Sequence, residues 1–264
     1  WGLPVHRWDV IAEDDYEWIR QRARRSADLF RGYRIDHLVG LYRTYVIPKD
    51  GGERVFVPAD QAAQLAQGET LVKLFAEAGA RVIAEDLGTV PDFVRASLAR
   101  MRVPGYRVLR WEREWHQPGQ PFRDPAAYPS TSVATTGTHD TETLAEWWQT
   151  AAEAERRALA QLPGLAGRAL SVEAGSYGEA ERDAILELVY RSGSDYAIFP
   201  LQDLFGWHDR INTPATVNDG NWTWRLPMPC DTWLSREDTL QRADDLRTLA
   251  FRSQRLRMRV NGDA

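Results

Sequence analysis

Residues 29–48 read LFRGYRIDHLVGLYRTYVIP. Arg34, Asp36 and His37 stand inside what otherwise reads as a buried strand, where an unpaired charge is expensive. Side chains alternate faces along a strand, so Arg34 and Asp36, two apart, point the same way. A guanidinium beside a carboxylate favours the ionised acid and fixes its orientation, which suits a nucleophile or an electrostatic stabiliser. The same pair also occurs as a structural ion pair, so the rest of the chain has to decide.

Outward from this stretch the pattern is cyclic. EWIRQRARRSADLFR (17–31) places Ile19, Ala23, Ala27 and Phe30 near helical spacing and predicts an amphipathic helix leading into the strand YRIDHL. PKDGGERVFVP (48–58) predicts a loop or small hairpin. GETLVKLFAEAGA (68–80) predicts a helix closed by Gly79, and RVIAEDLG (81–88) a second strand. PDFVRASLARMRVPG (91–105) predicts a helix starting at Pro91 and stopping before Pro104, followed by a third strand in YRVLRW. TSVATTGTHD (131–140) reads as a fourth strand and TETLAEWWQTAAEAERRALAQL as one or two helices. GEAERDAILELVYRSG is helical, DYAIFPLQD is a fifth strand, and the tail SREDTLQRADDLRTLAFRSQRLR is an amphipathic helix.

Strands alternating with helices imply parallel βαβ units, either an open doubly wound sheet or a closed (β/α)8 barrel. No Gly-rich phosphate loop follows a strand, which removes the usual signature of the open sheet. Asp36, Glu85 and Asp140 each fall at or near the C-terminal end of a predicted strand, the edge on which barrel enzymes carry their catalytic groups. The expected fold is therefore α/β, a TIM-type barrel, with five strands where a closed barrel needs eight.

The three acids suggest a chemistry. Glu85 follows the apolar run RVIA and precedes Asp86; a carboxyl in apolar surroundings near other acids holds its proton and can serve as general acid. Asp86 is read more readily as a helix N-cap, and Thr138 and Asp140 in TGTHD as caps for the following helix. His139 donates to a hydroxyl or simply packs. Acids from three strands on one edge would repel unless a cationic chemistry used them. Glycoside cleavage through an oxocarbenium-like transition state needs one ionised carboxylate, one protonated carboxyl and further negative charge. The rival is a divalent cation held by the acids with His37 and His139, but no compact ligand pair is present.

Composition narrows the classes. The 264 residues are 43% hydrophobic, enough for a real core, and the net charge of −5 comes from acids and bases mixed along the chain. There is no basic block to meet a nucleic-acid backbone. No apolar run approaches the roughly 18–20 residues of a membrane span. The single cysteine, Cys230, has no disulfide or metal partner and fits a reducing, cytoplasmic compartment. Eleven tryptophans are many for this length; indoles pack on sugar faces, but they also fill cores.

YRIDH, IAEDLG, TGTHD and NWTWR, in that order, together with the opening WGLPVHRWD, resemble the motifs of 4-alpha-glucanotransferases of the amylomaltase, or disproportionating enzyme, type: glycoside hydrolase family 77, in the alpha-amylase clan. The resemblance runs over nearly the whole chain. It implies that Asp36 is the nucleophile of a retaining reaction, that Glu85 protonates the leaving oxygen and later deprotonates an acceptor 4-hydroxyl, and that Asp140 holds hydroxyls of the distorted sugar. Arg34, His37 and His139 would line the same subsite, and Trp111 would offer an aromatic face. It implies alpha-1,4-glucans and maltooligosaccharides as partners and neither cofactor nor metal. Family members are longer, so residues 1–264 are expected to be the C-terminal part of one catalytic barrel domain, about strands four to eight. The N-terminal half, or a second copy, would then be a partner. Leu3 and His6 depart from the family's usual Asn and Tyr. Two alternatives stay open: a non-catalytic glucan-binding module, and an alpha-glucan hydrolase of the same clan.

Overall fold

Strand β1 (Gly32–Ile35) stops one residue before Asp36. Asp36 and His37 therefore lie not within a buried strand but in the turn beyond it, and both are exposed. The structure, a computed structural model, describes residues 3–173 and 175–256, which form two compact units dividing between Tyr106 and Arg107.

In the first unit, a short helix α1 (Trp8–Ala12) and helix α2 (Glu17–Leu29) precede β1. Ile19 and Ala23 of the expected stripe are buried, whereas Phe30 falls beyond the helix and is exposed. One helical turn, α3 (Val39–Tyr42), leads into the small antiparallel hairpin of β2 (Thr44–Val46) and β3 (Val55–Val57). Helix α4 (Gln61–Ala76) begins seven residues before the expected start at Gly68. Asp60 caps it, accepting from the amides of Ala62 at 3.1 Å and Ala63 at 2.8 Å. Gly68 is no break: a Cβ there would stand 2.1 Å from the buried Tyr42 ring, so the missing side chain lets α3 and α4 approach. Strand β4 (Arg81–Ala84) pairs in parallel with β1, in the register Gly32↔Arg81 to Ile35↔Ala84. Helix α5 (Asp92–Arg100) follows, and β5 (Gly105–Val108) begins beside β4 at Ala84↔Gly105. The core gathers Ile19, Leu38, Tyr42, Leu71, Val72 and Val94.

Strand β5 ends in the second unit, so the strand order runs β1-β4-β5 in the first and β5-β6-β7 in the second. The expected third strand is shorter than YRVLRW, because Leu109–Trp111 turn into a 3-10 helix. Strand β6 (Ser132–Thr135) is buried along its length and pairs in parallel with β7 (Tyr196–Ala197). Between them lie α6 (Leu144–Thr150), α7 (Glu153–Ala160) and α8 (Glu179–Tyr190). The N-cap of α6 is Thr143, which accepts from the Glu146 amide at 3.2 Å, not Thr138 or Asp140. The end of DYAIFPLQD is not strand but helix α9 (Leu201–Phe205), because Pro200 starts a new turn. Helix α10 (Glu237–Arg252) closes the unit. Its core holds Leu144, Trp148, Leu159, Leu165 and Ile185.

From Gly206 to Arg236 the chain has only a 3-10 turn, Cys230–Thr232. Aromatic rings hold this stretch: Phe205 stacks on Trp207 at 4.8 Å, Trp207 meets Trp224 at 6.2 Å, and Phe205 meets Trp233 at 5.4 Å. Among the described residues, no helix is long and apolar enough to cross a membrane.

Candidate active site

The register of β1 and β4 positions the candidate residues of the first unit. Ile35 and Ala84 are paired, so the residues that follow them, Asp36 and Glu85, leave neighbouring parallel strands at the same edge. The strand spacing there is about 4.8 Å. The ladder continues one step beyond the strands, since the Glu85 amide donates to Ile35 O at 2.9 Å and the Leu38 amide to Glu85 O at 3.1 Å.

The two carboxylates are held differently. Asp36 is ion-paired with Arg34 at 2.8 Å, its side chain 77% exposed. The Arg34 guanidinium in turn lies 5.7 Å from the centre of the Tyr106 ring. Burial pushes the Tyr106 hydroxyl's pKa up, against the charge of Arg34, so this ring stays a neutral wall. Glu85 is less exposed and accepts from backbone: the His37 amide donates to Oε2 at 2.6 Å and the Leu87 amide to Oε1 at 3.3 Å. His37 takes a left-handed backbone conformation, φ 41°, which places its amide on Glu85. Such a conformation at a non-glycine residue persists only where its surroundings determine it.

Asp86 is not a helix cap; the residue before α5 is Pro91. The Asp86 side chain is 4% exposed, pairs with Arg95 at 2.9 Å and accepts from the Tyr106 amide at 2.7 Å. A Cβ at Gly105 would lie 2.4 Å from Asp86, so only glycine lets β5 approach this buried acid. Alternation along the chain thus separates two adjacent acids, one tying β4 to β5 and α5, the other left at the strand edge.

In the second unit Asp140 lies five residues past β6 and is half-buried. Asn212 donates to its Oδ1 at 2.6 Å, and His139 Nε2 lies 3.3 Å from its Oδ2. Arg210 donates to the Asp140 carbonyl at 2.8 Å and pairs with Glu142 at 3.5 Å. The His139 ring packs 5.3 Å from Trp222, whose indole is 61% exposed. Trp111 ends the turn after β5 and is 41% exposed. The arrangement orients one carboxylate by a neutral amide and leaves an imidazole and an indole beside it, a polar and aromatic lining of the kind sugars bind.

Reading the sequence singled out Arg34, Asp36, His37 and Glu85, which the structure brings together, and His139 with Asp140, which it also brings together. It missed Tyr106, Arg210 and Asn212. Tyr106 follows Gly105 at a strand start and looks like core filler; Arg210 and Asn212 lie in a segment with no periodicity. Trp222 was visible only as part of NWTWR. His6, one of the two opening departures, lies 4.9 Å from the Trp8 ring and 5.6 Å from that of Trp18. Among the described residues, no group of three or more His, Cys, Asp or Glu side chains is placed to hold a metal ion.

Comparison with known proteins shows the family. A family model described as 4-alpha-glucanotransferase, glycoside hydrolase family 77, matches residues 1–231. The 4-alpha-glucanotransferase of Chlamydia trachomatis is 35% identical over 241 residues, covering 86% of this chain and 43% of that protein. That of Thermus thermophilus is 32% identical over 238 residues, covering 86% and 44%. The chain therefore spans under half the length of these relatives. Among solved structures, an amylomaltase from Streptococcus agalactiae in complex with acarbose superposes with a TM-score of 0.72 at 24% identity, covering 96% of this chain and 48% of that one. The likeness shows the fold, and the parallel strand and helix alternation is that of a partial (β/α)8 barrel. With its family model running from the opening motif past NWTWR, the chain belongs to the 4-alpha-glucanotransferase family, glycoside hydrolase family 77.

Proposed function

We propose that the full-length protein is a retaining alpha-1,4-glucan transferase that moves maltooligosaccharyl units between 4-hydroxyls, with Asp36, Glu85 and Asp140 as its catalytic acids. The observation that carries the reading is the paired register of β1 and β4, which delivers Asp36 and Glu85 side by side at neighbouring strand ends, with Asp36 held by the Arg34 guanidinium. Family membership supports the reaction class.

In the first step an Asp36 carboxylate oxygen attacks the anomeric carbon of the donor, the bond from that carbon to the glycosidic oxygen breaks, and the leaving oxygen takes the proton of the Glu85 carboxyl. In the second, an acceptor 4-hydroxyl attacks the same carbon from the side vacated by the leaving group. Its proton passes to Glu85 and the bond to Asp36 breaks. Two inversions retain configuration, for which the two carboxyl groups work at about 5–5.5 Å. Asp140, oriented by Asn212, holds sugar hydroxyls and balances the oxocarbenium charge, with His139 beside it. Arg34 keeps Asp36 aimed, and His37, Trp222 and Trp111 offer polar and aromatic contacts to neighbouring glucose units.

The test is maltotriose with the full-length protein. The reading predicts glucose plus longer maltooligosaccharides with no net gain in reducing ends; a gain in reducing ends would mean that water intercepts the intermediate and the protein is a hydrolase. Asp36→Asn should lower transfer by about 10⁴-fold or more with the circular dichroism spectrum unchanged. Wild-type rates in that variant would end the assignment.

A further inference from the structure

Asp140 and His139 ride on the loop 136–144, and the contacts that hold this loop converge on a side chain outside the motif. Asp203, in helix α9, is fully buried. Its Oδ2 accepts from the Thr136 hydroxyl at 2.5 Å and its Oδ1 from the Leu144 amide at 2.7 Å. Thr136 begins the loop just after β6, and Leu144 is the first residue of α6. One carboxylate therefore clasps the two ends of a nine-residue segment whose middle carries the site.

Other contacts make the clasp stiff. Buried Arg110 donates to the Thr136 carbonyl at 3.3 Å and to Glu142 at 3.0 Å, and Glu142 also meets Arg210, which bonds the Asp140 carbonyl. Within the loop, Thr141 Oγ1 accepts from the Thr138 amide at 2.9 Å and the Asp140 amide donates to Thr138 Oγ1 at 3.2 Å. The charged and titratable groups felt by Asp203 are Arg110 and the buried Tyr177 hydroxyl. Burial raises the Asp203 pKa, opposed by the Leu144 amide, the Thr136 hydroxyl and the Arg110 charge. A carboxyl so deep in the unit is costly to keep there, and neither proton transfer nor sugar binding uses it.

We propose that Asp203 is a positioning residue for Asp140 and His139, acting by tying the ends of the 136–144 loop to helix α9 so that the Asp140 carboxylate meets the sugar in one orientation. This rests on the role given to Asp140 above. Misplacing a catalytic group by about 1 Å costs about 100-fold in rate. A positioning role also predicts non-additivity, because the clasp is worth nothing once the group it aims is gone.

The experiment uses the full-length protein with four variants: Asp203→Ala, Asp140→Asn, the pair together, and Thr136→Val, which removes one hydroxyl at nearly constant volume. In maltotriose disproportionation, Asp203→Ala should lower kcat about 100-fold with KM within about threefold, and Thr136→Val should lower kcat about tenfold. Added to Asp140→Asn, Asp203→Ala should cost under about threefold more. Losses that multiply in the double variant, or wild-type kcat in folded Asp203→Ala, would overturn the proposal. Hydrogen exchange provides a readout independent of activity. In Thr136→Val the amides of residues 137–143 should exchange faster while those of α8 keep their protection; unchanged exchange in the loop would overturn the clasp. If the wild-type protein leaves maltotriose untouched, the functional reading falls, and the exchange result then decides the clasp alone.

Discussion

Glu85 and Asp36 differ in what they touch, and the difference is testable one residue at a time. If Glu85 donates the proton to the leaving oxygen, a donor whose leaving group needs no proton escapes the loss. Glu85→Gln should lower turnover of maltotriose by about 10³-fold or more, yet lower the first step on alpha-glucosyl fluoride far less. Equal losses on both donors would remove Glu85 from the acid role. At this scale the sequence was legible where a charged residue closed an apolar run, as with Arg34, Asp36 and Glu85, although the reason was not burial, since Asp36 lies exposed in the turn past β1. It was not legible for Asp86, whose neighbours Arg95 and Tyr106 are nine and twenty residues away and meet it only through the packing of α5 and β5. Nor was it legible for Asn212, 72 residues from the Asp140 that it orients.

Elements were read well in kind and less well in extent. All five parallel strands overlap the predicted stretches, β1 and β5 beginning one residue earlier at Gly32 and Gly105, since β-branched and apolar runs bounded by glycine and proline mark them. Boundaries moved where tertiary contacts overrode local preference. Gly68 looked like a helix start and lies inside α4, because Tyr42 fills the space of its side chain. Gly68→Ala should therefore destabilise the first unit by about 1–3 kcal/mol. This outweighs the roughly 1 kcal/mol that alanine gains over glycine in a helix. The urea midpoint measures it, and a rise would show that Tyr42 yields without cost. Helix α8 offers a pH test. Burial raises the pKa of Glu187, but hydrogen bonds and charges from Arg168 at 2.6 Å and Arg191 at 2.7 Å outweigh it, so its pKa lies below the ordinary 4.5. A lowered folded pKa means stability that is present above the unfolded value and lost as pH falls through the folded one. Wild type should melt about 2–4 °C above Glu187→Gln at neutral pH, with the two curves meeting in acid. A gap that persists at low pH would assign the difference to packing instead of ionisation.

For the molecule as a whole, the alternation of strand and helix and the acids at strand ends were enough to predict a barrel, and the order of four motifs was enough to suggest its family. The division between Tyr106 and Arg107 was not foreseen, because it falls inside a strand with no change of composition to mark it. The central claim is that Asp36 becomes covalently attached to the donor sugar while the other acids serve it. A 5-fluoro-alpha-glucosyl fluoride slows the second step and lets the glycosyl-enzyme accumulate, so the full-length protein can be inactivated, digested and its labelled peptide sequenced by mass spectrometry. The account predicts one added glycosyl group per chain, on the peptide spanning residues 32–43 and localised to Asp36. A label on any other residue, or full transfer activity with no label formed, would contradict it.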